Sequence, residues 1–579
     1  MTIVLCKKIG LNVKKLLKRF NNIIVVNDCY EKLKVDGIKK LLLTCPALYH
    51  KNRDQIENFE ILDLRVLNAF KNPTDVAESI LISEIEKSGE VEIETIKIGD
   101  KVLYVGNNLD LIYDLSPYCN LTVVTQDNRT IENLYPYDVR VINGYVKDIE
   151  GSVGKFKVKV DGVDVTSNET VNEIIVDQII YPGFNTDKKI EGLYTDEYTG
   201  AFKVLVNING YLKPKVVSIN YNTCGFLRSG YIGCTYCLKC PEDAIIVKNG
   251  KLQVSNLSCT GCGFCSSICF TSSIKNNVLP DKLLINKIKK IKNLNKYDVL
   301  VFACRNSLGK LRNLKNLPTI GIILVPCINS ISEVHYLYAV ASGFRVLVVP
   351  CDCKDLILDM LTLAKVTLEL FGFDCISLSD WDKLKTDVPK LKKRSIPKIS
   401  ANLIENSLNK NKRYAWYKVL EDLMNTYGTP KVPALKGKYF GKIKIKESCT
   451  LCNACINSCR TEAIIKKKNN KIEFIHALCI GCGLCAEICP ENAIEIEKTL
   501  DLNEIGKKTL FEDEMIVCPR CKKPHMSKRA YEKLKTLTGL ERTLLFCEDC
   551  RPVVILESLY EEVVNELNEL KRRRLGEQQ

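Results

Sequence analysis

Eight cysteines between residues 449 and 489 constrain this chain more than any other feature. They fall as Cys449-x2-Cys452-x2-Cys455-x3-Cys459 and Cys479-x2-Cys482-x2-Cys485-x3-Cys489-Pro490, with Ala-Ile four to five residues beyond each run. At this spacing tight turns let three thiolates wrap one face of an iron–sulfur cubane. The fourth, offset cysteine reaches a second cubane and interlocks the two halves. The spacing therefore assigns Cys449, Cys452, Cys455 and Cys489 to one [4Fe-4S] cluster, and Cys479, Cys482, Cys485 and Cys459 to another. Zinc is the rival metal for such thiolates. Arg460 stands where a proline is usual.

These are runs of the bacterial ferredoxin type, and residues 224–269 repeat them less regularly. Cys259-x2-Cys262-x2-Cys265-x3-Cys269 is intact, with Phe270 in place of proline. Upstream, Cys234-x2-Cys237-x2-Cys240-Pro241 is one residue short, and its Pro-x-x-Ala-Ile tail marks Cys240 as the crossing cysteine. Cys259, Cys262, Cys265 and Cys240 then hold one cluster. Cys234, Cys237 and Cys269 hold another if Cys224 supplies the missing ligand; the alternative is that this cluster is lost.

Other cysteines sit where strands end. Strand patterns at Val299–Ala303, Ile320–Val325 and Arg345–Val349 run into Cys304, Cys327, and the pair Cys351 and Cys353. Ligands collect at the carboxyl edge of a parallel sheet, so four thiolates there suit a [2Fe-2S] centre or a compact cubane; scattered buried cysteines are the alternative. Near the end, Cys518-x2-Cys521 and Cys547-x2-Cys550 have zinc-ribbon spacing, which fits a closed four-thiolate site. A single rubredoxin-like iron is the rival, and His525 is a spare ligand. Cys6, Cys29 and Cys45 follow N-terminal strand patterns, with Cys119 the candidate fourth ligand; ordinary buried cysteines are again the alternative.

Twenty-nine cysteines and no secretory leader point to a reducing cytoplasm, where clustered thiols bind metal rather than form disulfides. No apolar run reaches the length of a membrane span. The net charge of +15 suggests nucleic acid, but 17 basic against 4 acidic residues between Lys383 and Lys446 supply +13 of it. Thiolate-ligated metals would offset roughly 12 charges elsewhere. That stretch reads as a linker: a solvated connector, internal charge compensation, or a docking surface for an acidic ferredoxin-like partner. With four His and no triad or paired-carboxylate pattern, hydrolytic catalysis is not expected. The C-terminal apolar spacing at Leu556, Tyr560, Val563, Leu567 and Leu570 reads as a helix packed on its own domain.

Residues 98–220 have the strand–turn–helix–strand outline of a dinucleotide-binding unit. Gly106 remains of the glycine fingerprint that lets backbone approach a pyrophosphate, and Asp127 is the candidate ribose-binding acid. FAD binding and a retained but empty fold both stay open.

In this order the pieces resemble the heterodisulfide reductase A-subunit family and the related B subunit of the quinone-interacting oxidoreductase complex. The carriers are Cys6…Cys29…Cys45-Pro46, the segment Val176-Asp-Gln-Ile-Ile-Tyr-Pro-Gly183-Phe184, Asn209-Gly-Tyr-Leu, Thr223–Gly230 and the two paired-run modules. Residues 298–378 resemble the delta subunit of methyl-viologen-reducing hydrogenase, which implies a [2Fe-2S] centre. Two departures stand out: the flavin unit is short and poor in glycine, and Cys304-Arg-Asn-Ser307 replaces a Cys-x-x-Cys.

The expected fold is multidomain α/β plus α+β. It comprises an α/β unit at 1–95, a shortened Rossmann-like FAD-binding unit at 96–220 and a dicluster ferredoxin domain at 221–280. A delta-like α/β unit at 281–382, a basic linker at 383–446, a second dicluster ferredoxin domain at 447–500, and a zinc ribbon with its helix at 501–579 complete it. The expected function is an iron–sulfur electron-transfer subunit of a cytoplasmic oxidoreductase complex, soluble or held at a membrane only through partner subunits. Its cofactors would be about four [4Fe-4S] clusters, one [2Fe-2S] and one Zn. An FAD-containing flavoenzyme is the alternative, and a nucleic-acid-binding zinc-ribbon protein the remote one.

Overall fold

A computed structural model describes residues 2–6, 11–20, 23–27, 41–43, 59–62, 64–85, 91–134, 139–184, 190–208, 210–226, 233–350, 357–430, 432, 434–467 and 470–576. Cys29, Cys45, Cys351 and Cys353 lie outside these residues, and for Cys6 only the strand position is described.

The N-terminal strands form a parallel sheet in the order Ile23–Val26, Thr2–Cys6, Leu41–Leu43, Phe59–Ile61. The following helix, Pro73–Ile85, carries the buried polar residues Glu78, Ser79, Ser83 and Glu84. They are buried because this helix packs on the strand Gly321–Val325 of the later α/β unit. Ser79 Oγ accepts from Ile322 N at 3.0 Å, and Glu84 pairs with Arg305. The 1–95 and 281–382 regions thus share one hydrophobic core instead of folding as separate domains.

Residues 96–220 build a seven-stranded sheet. Its parallel part runs Arg140–Ser152, Asn120–Thr125, Lys101–Val105, Gln178–Ile180, Leu193–Tyr194. The long strand Arg140–Ser152 continues into an antiparallel meander with Lys155–Asp164 and Thr170–Val176. Alternation places Val102, Tyr104 and Val123 in the core of one face, and Leu103 and Val124 in the core of the other.

Two modules share a strand plan. In the first, Val217–Ile219 pairs with Ile274–Asn276 around the hairpin Ile245–Lys248/Lys251–Val254. In the second, Lys442–Ile445 pairs with Ile494–Glu497 around Ile464–Lys467/Lys471–Ile475. Between them lies a parallel sheet ordered Gly321–Val325, Val299–Cys304, Arg345–Val349, Ile376–Leu378.

The 383–446 stretch corrects the expectation of a linker. It holds the helices Leu384–Lys392, Ala401–Leu408 and Lys412–Tyr427. In the last, Ala415, Trp416, Val419, Leu420 and Leu423 are buried at helical spacing, and Asn411 caps its start by accepting from Tyr414 N at 2.8 Å. The charge count concealed this apolar face. Much of the basic excess is met by carboxylates from outside the stretch: Lys392 by Asp298, Arg394 by Asp374, Lys438 by Asp359, Lys442 by Asp501 and Lys446 by Glu495.

The C-terminal helix Arg551–Gly576 also departs from expectation. Its apolar stripe does not pack on its own domain: Leu556 is 66% and Tyr560 72% exposed, and Val563, Leu567 and Leu570 are exposed as well. No helix among the described residues is long and apolar enough to cross a membrane.

Candidate metal-cluster sites

Each regular cysteine run makes the same turn. Both neighbours of the second cysteine are left-handed: Leu451 and Asn453 around Cys452, Gly481 and Gly483 around Cys482, Gly261 and Gly263 around Cys262. This conformation turns three sulfurs to one side before a short helix carries the chain to the fourth cysteine. At Gly481 the requirement is doubled, because a Cβ there would stand 2.2 Å from the Phe440 carbonyl oxygen. The shortened run breaks the pattern and passes through a 3-10 turn, Tyr236–Lys239, instead.

The second module contains two cavities. One is lined by Cys449, Cys452, Cys455 and Cys489 together with Ile445, Ile472 and Ile494. The other is lined by Cys459, Cys479, Cys482 and Cys485, and residues Gly225 and Thr271 of the first module close it. The fourth cysteine of each run therefore lines the cavity of the other run, the arrangement that interlocking clusters need.

Burial pushes these thiols up, to about 12 for Cys455 and Cys479 and about 11 for Cys262, and neighbouring sulfurs add to the effect. Buried thiols converging at this density are poorly placed to ionise unless a metal meets them, which is the chemistry of a site completed by iron. The neighbouring sulfurs also define the sets. Cys455 feels Cys449, Cys452 and Cys489, while Cys485 feels Cys479, Cys482 and Cys459. In the first module Cys265 feels Cys262, Cys259 and Cys240, and Cys237 feels Cys269, Cys234 and Cys224. Cys224 and Cys240 are thus among the thiols acting on these two groups.

Two threonines escaped the sequence reading. Thr271 Oγ1 lies 3.6 Å from Cys269 Sγ, and Thr461 Oγ1 lies 3.7 Å from Cys459 Sγ. The shared Cys-x-Thr in place of Cys-Pro was the available signal. Backbone N–H groups of Ile274 and Ala493 also donate to Cys269 and Cys489 sulfur at 3.3 Å each, a contact type that tunes cluster potential.

The sets form a series. Cys485 feels Cys455 across the second module, and Cys234 feels Cys482 across the junction between modules. Cys237 feels Cys265 within the first module, and Cys327 feels Cys262 beyond it. Cys304 and Cys327 are buried at the ends of adjacent parallel strands and hydrogen-bond to each other, which, with burial, raises the Cys327 thiol. Ser307 donates to the Cys304 carbonyl at 2.7 Å and accepts from Trp381 Nε1 at 3.0 Å, so the missing cysteine position does a structural job.

Cys518, Cys521, Cys547 and Cys550 bring their sulfurs within 4.8 Å of one another, with Cys521 and Cys547 3.6 Å apart. That spacing suits a tetrahedral ion with ~2.3 Å metal–sulfur bonds. Desolvation opposes ionisation at Cys518, but backbone N–H groups of Cys521, Cys547 and Arg520 outweigh it and hold the thiol at about 6. His525 is not among the converging ligand atoms, and its Nε2 lies 3.0 Å from the Leu545 carbonyl oxygen. Cys119 is half-buried against the core of the 96–220 sheet, apart from that of the Thr2–Cys6 strand, and donates to the Leu115 carbonyl at 3.3 Å.

The residues at the dinucleotide cradle do not fit FAD. The Tyr104 hydroxyl stands over Gly106, 2.4 Å from where a Cβ would be, so tyrosine rather than a pyrophosphate explains the glycine. Tyr104 donates to Glu197 Oε1 at 2.6 Å, and Asn108 Nδ2 donates to Glu197 Oε2 at 3.0 Å. A carboxylate already occupies the start of the helix Leu109–Leu115, where a phosphate would have to sit. Asp127 accepts from Thr130 N at 3.1 Å and Thr130 Oγ1 at 2.6 Å, capping its own helix.

Comparison with known proteins agrees with the second module. Residues 443–496 match the 4Fe-4S dicluster domain family. Over 62 residues the chain is 42% identical to indolepyruvate oxidoreductase subunit IorA of Archaeoglobus fulgidus, covering 10% of each. It is also 42% identical over 62 residues to pyruvate synthase subunit PorD of Thermotoga maritima, covering 10% of this chain and 63% of that one. With PorD of Methanothermobacter marburgensis it shares 42% over 53 residues, 9% of this chain and 60% of the relative. The match therefore spans a tenth of the first relative and less than two thirds of the other two. This is an iron–sulfur protein with a 4Fe-4S dicluster domain, and the chemistry of that domain is electron transfer.

Proposed function

We propose that the chain is the electron-conducting subunit of a multi-subunit oxidoreductase, of the heterodisulfide reductase A type but without flavin. Its conductor is a row of four [4Fe-4S] clusters, in the order Cys259/Cys262/Cys265/Cys240, then Cys224/Cys234/Cys237/Cys269, then Cys459/Cys479/Cys482/Cys485, then Cys449/Cys452/Cys455/Cys489. A [2Fe-2S] centre at Cys304 and Cys327, completed by Cys351 and Cys353, extends the row at one end. The zinc-ribbon thiols are structural. The observation that carries this reading is the cavity lined by Cys459, Cys479, Cys482 and Cys485, which Gly225 and Thr271 beside the first module's thiols help to close. The Glu197 carboxylate at the dinucleotide cradle favours conduction over flavin chemistry. PorD and IorA, being named subunits of oxidoreductases, support the assembly into a complex.

Iron and zinc analysis of anaerobically purified protein tests it. Four cubanes require about 16 Fe, or about 18 with the [2Fe-2S], and about one Zn per chain. About eight Fe would confine the clusters to one module and sink the row.

A further inference from the structure

Arg413 is fully buried, yet it has no carboxylate at ion-pair distance among the described residues. Its Nη2 donates to the carbonyl oxygens of Cys479 at 2.7 Å and Tyr439 at 3.0 Å, while Nε and Nη1 have no hydrogen-bond partner among those residues. The guanidinium lies over the rings of Trp416 at 4.4 Å and Phe440 at 4.8 Å. Its neighbour in sequence behaves otherwise: Lys412, equally buried, is paired with Asp281 Oδ2 at 2.9 Å. Desolvation pulls Arg413 down to about 10, which still leaves it charged at neutral pH.

A buried cation without an anion is expensive, and native proteins keep one only where a counter-charge meets it. The described residues offer none at contact distance. Among the groups acting on Arg413, the Cys479 thiol comes first after desolvation, ahead of buried Glu333, which makes no ion pair with it. A cubane held by four thiolates carries a net charge of about −2, and reduction adds one more negative charge.

We propose that Arg413 is the counter-cation of the cluster held by Cys459, Cys479, Cys482 and Cys485, and raises that cluster's reduction potential. This rests on the reading that those thiols hold a [4Fe-4S] cluster. The cation attracts the reduced cluster more strongly than the oxidised one, because the added electron increases the negative charge it faces. The helical stretch between the modules thereby acts on the cluster nearest their junction, and the contrast with Lys412 confines the effect to that side. Exposed Lys498, which donates to the Gly481 carbonyl, is the rival source of positive field.

The test is an EPR-monitored redox titration of the full iron-loaded chain, comparing R413M, which keeps bulk, with R413K, which keeps charge. The expected result is that R413M lowers the midpoint of one cubane by at least a tenfold shift in its one-electron equilibrium, 59 mV. R413K should hold it near the parent value, and the Cys449/Cys452/Cys455/Cys489 cluster should stay put in both. Equal shifts in R413M and R413K, or no shift with the signal intact, would overturn the proposal. Absence of the signal from the parent protein would instead overturn the cluster reading beneath it. A measurement on the parent alone guards against misfolded variants. A buried cation's effect persists from 0.1 to 1 M salt, while a field from exposed lysines fades as the Debye length falls from about 10 Å to about 3 Å. A midpoint that drops with salt would assign the effect to Lys498 and overturn the proposal.

Discussion

The Tyr236 hydroxyl lies 2.6 Å from the Ile480 carbonyl oxygen, joining the irregular turn of the first module to the turn that follows Cys479 in the second. The same hydroxyl is 2.7 Å from the Lys438 carbonyl, and its ring meets Phe270 and Tyr439 edge-on at 6.0 and 5.0 Å. One side chain between Cys234 and Cys237 thus fixes the module junction. Tyr236→Phe removes the hydrogen bond and leaves a carbonyl unsatisfied, a loss of about 1–3 kcal/mol. Tyr236→Ala, which also empties the aromatic cluster, should cost about 3–5 kcal/mol. Urea unfolding of iron-loaded protein measures both; no loss in Tyr236→Phe would mean the hydroxyl does nothing.

Cys240 lies in the shortened run but is grouped with Cys259, Cys262 and Cys265. Cys240→Ala should therefore alter the EPR signal of the regular cluster in the first module. If only a signal that also disappears in Cys234→Ala changes, the crossing ligation is wrong.

Glu333 gives the fold a pH dependence. It is fully buried, neither carboxylate oxygen has a hydrogen-bond partner among the described residues, and burial raises its pKa to about 7 from an ordinary 4.5. Between these two values the folded chain binds more protons than the unfolded one, so stability falls as pH rises and levels off above about 7. The full effect is at most about 3 kcal/mol. Asp281 acts in the opposite sense at lower pH: burial would raise it, but Lys412 and His335 outweigh that and hold it down, so its contribution is lost on acidification. Glu333→Gln should flatten the decline in urea midpoint between pH 5.5 and pH 8. An unchanged slope would place the titration elsewhere.

Gly106 and Tyr104 should be coupled. A methyl at Gly106 collides with the Tyr104 hydroxyl, so Gly106→Ala should cost about 1–3 kcal/mol. Tyr104→Phe in the same chain should recover part of that loss, which a double-mutant cycle reads directly. Fluorescence of acid-released cofactor should find no flavin in any of these proteins. Stoichiometric flavin in the parent would contradict the account of Glu197.

The apolar stripe on the last helix should matter little to the chain's own stability. Leu556→Ser and Leu567→Ser change exposed positions, so each should stay within about 0.5 kcal/mol of the parent by thermal unfolding. A loss above 2 kcal/mol would mean the stripe packs in solution.

Local signals were legible without coordinates. The regular runs announced their turns because left-handed positions and x2 spacing are properties of neighbouring residues, and Cys449–Cys489 needed nothing more. The parallel strands ending at Cys304 and Cys327 were readable for the same reason. At Gly106 the sequence left FAD and an empty fold both open, because the Tyr104–Glu197 pair at the cradle joins residues far apart in the chain and is visible only after folding. The basic stretch misled because summed charge says nothing of which side chains face inward or which distant carboxylates meet them.

The amino-acid sequence by itself determined which thiols belong to the three regular runs and that iron–sulfur chemistry is the chain's business, since ligand spacing is a short-range property. Tertiary structure alone decided that Tyr236 reaches Ile480 and that Arg413 lies against Cys479. Each joins segments tens to hundreds of residues apart. Such contacts follow from the burial of whole helices and modules against one another, a cooperative outcome that no local spacing encodes.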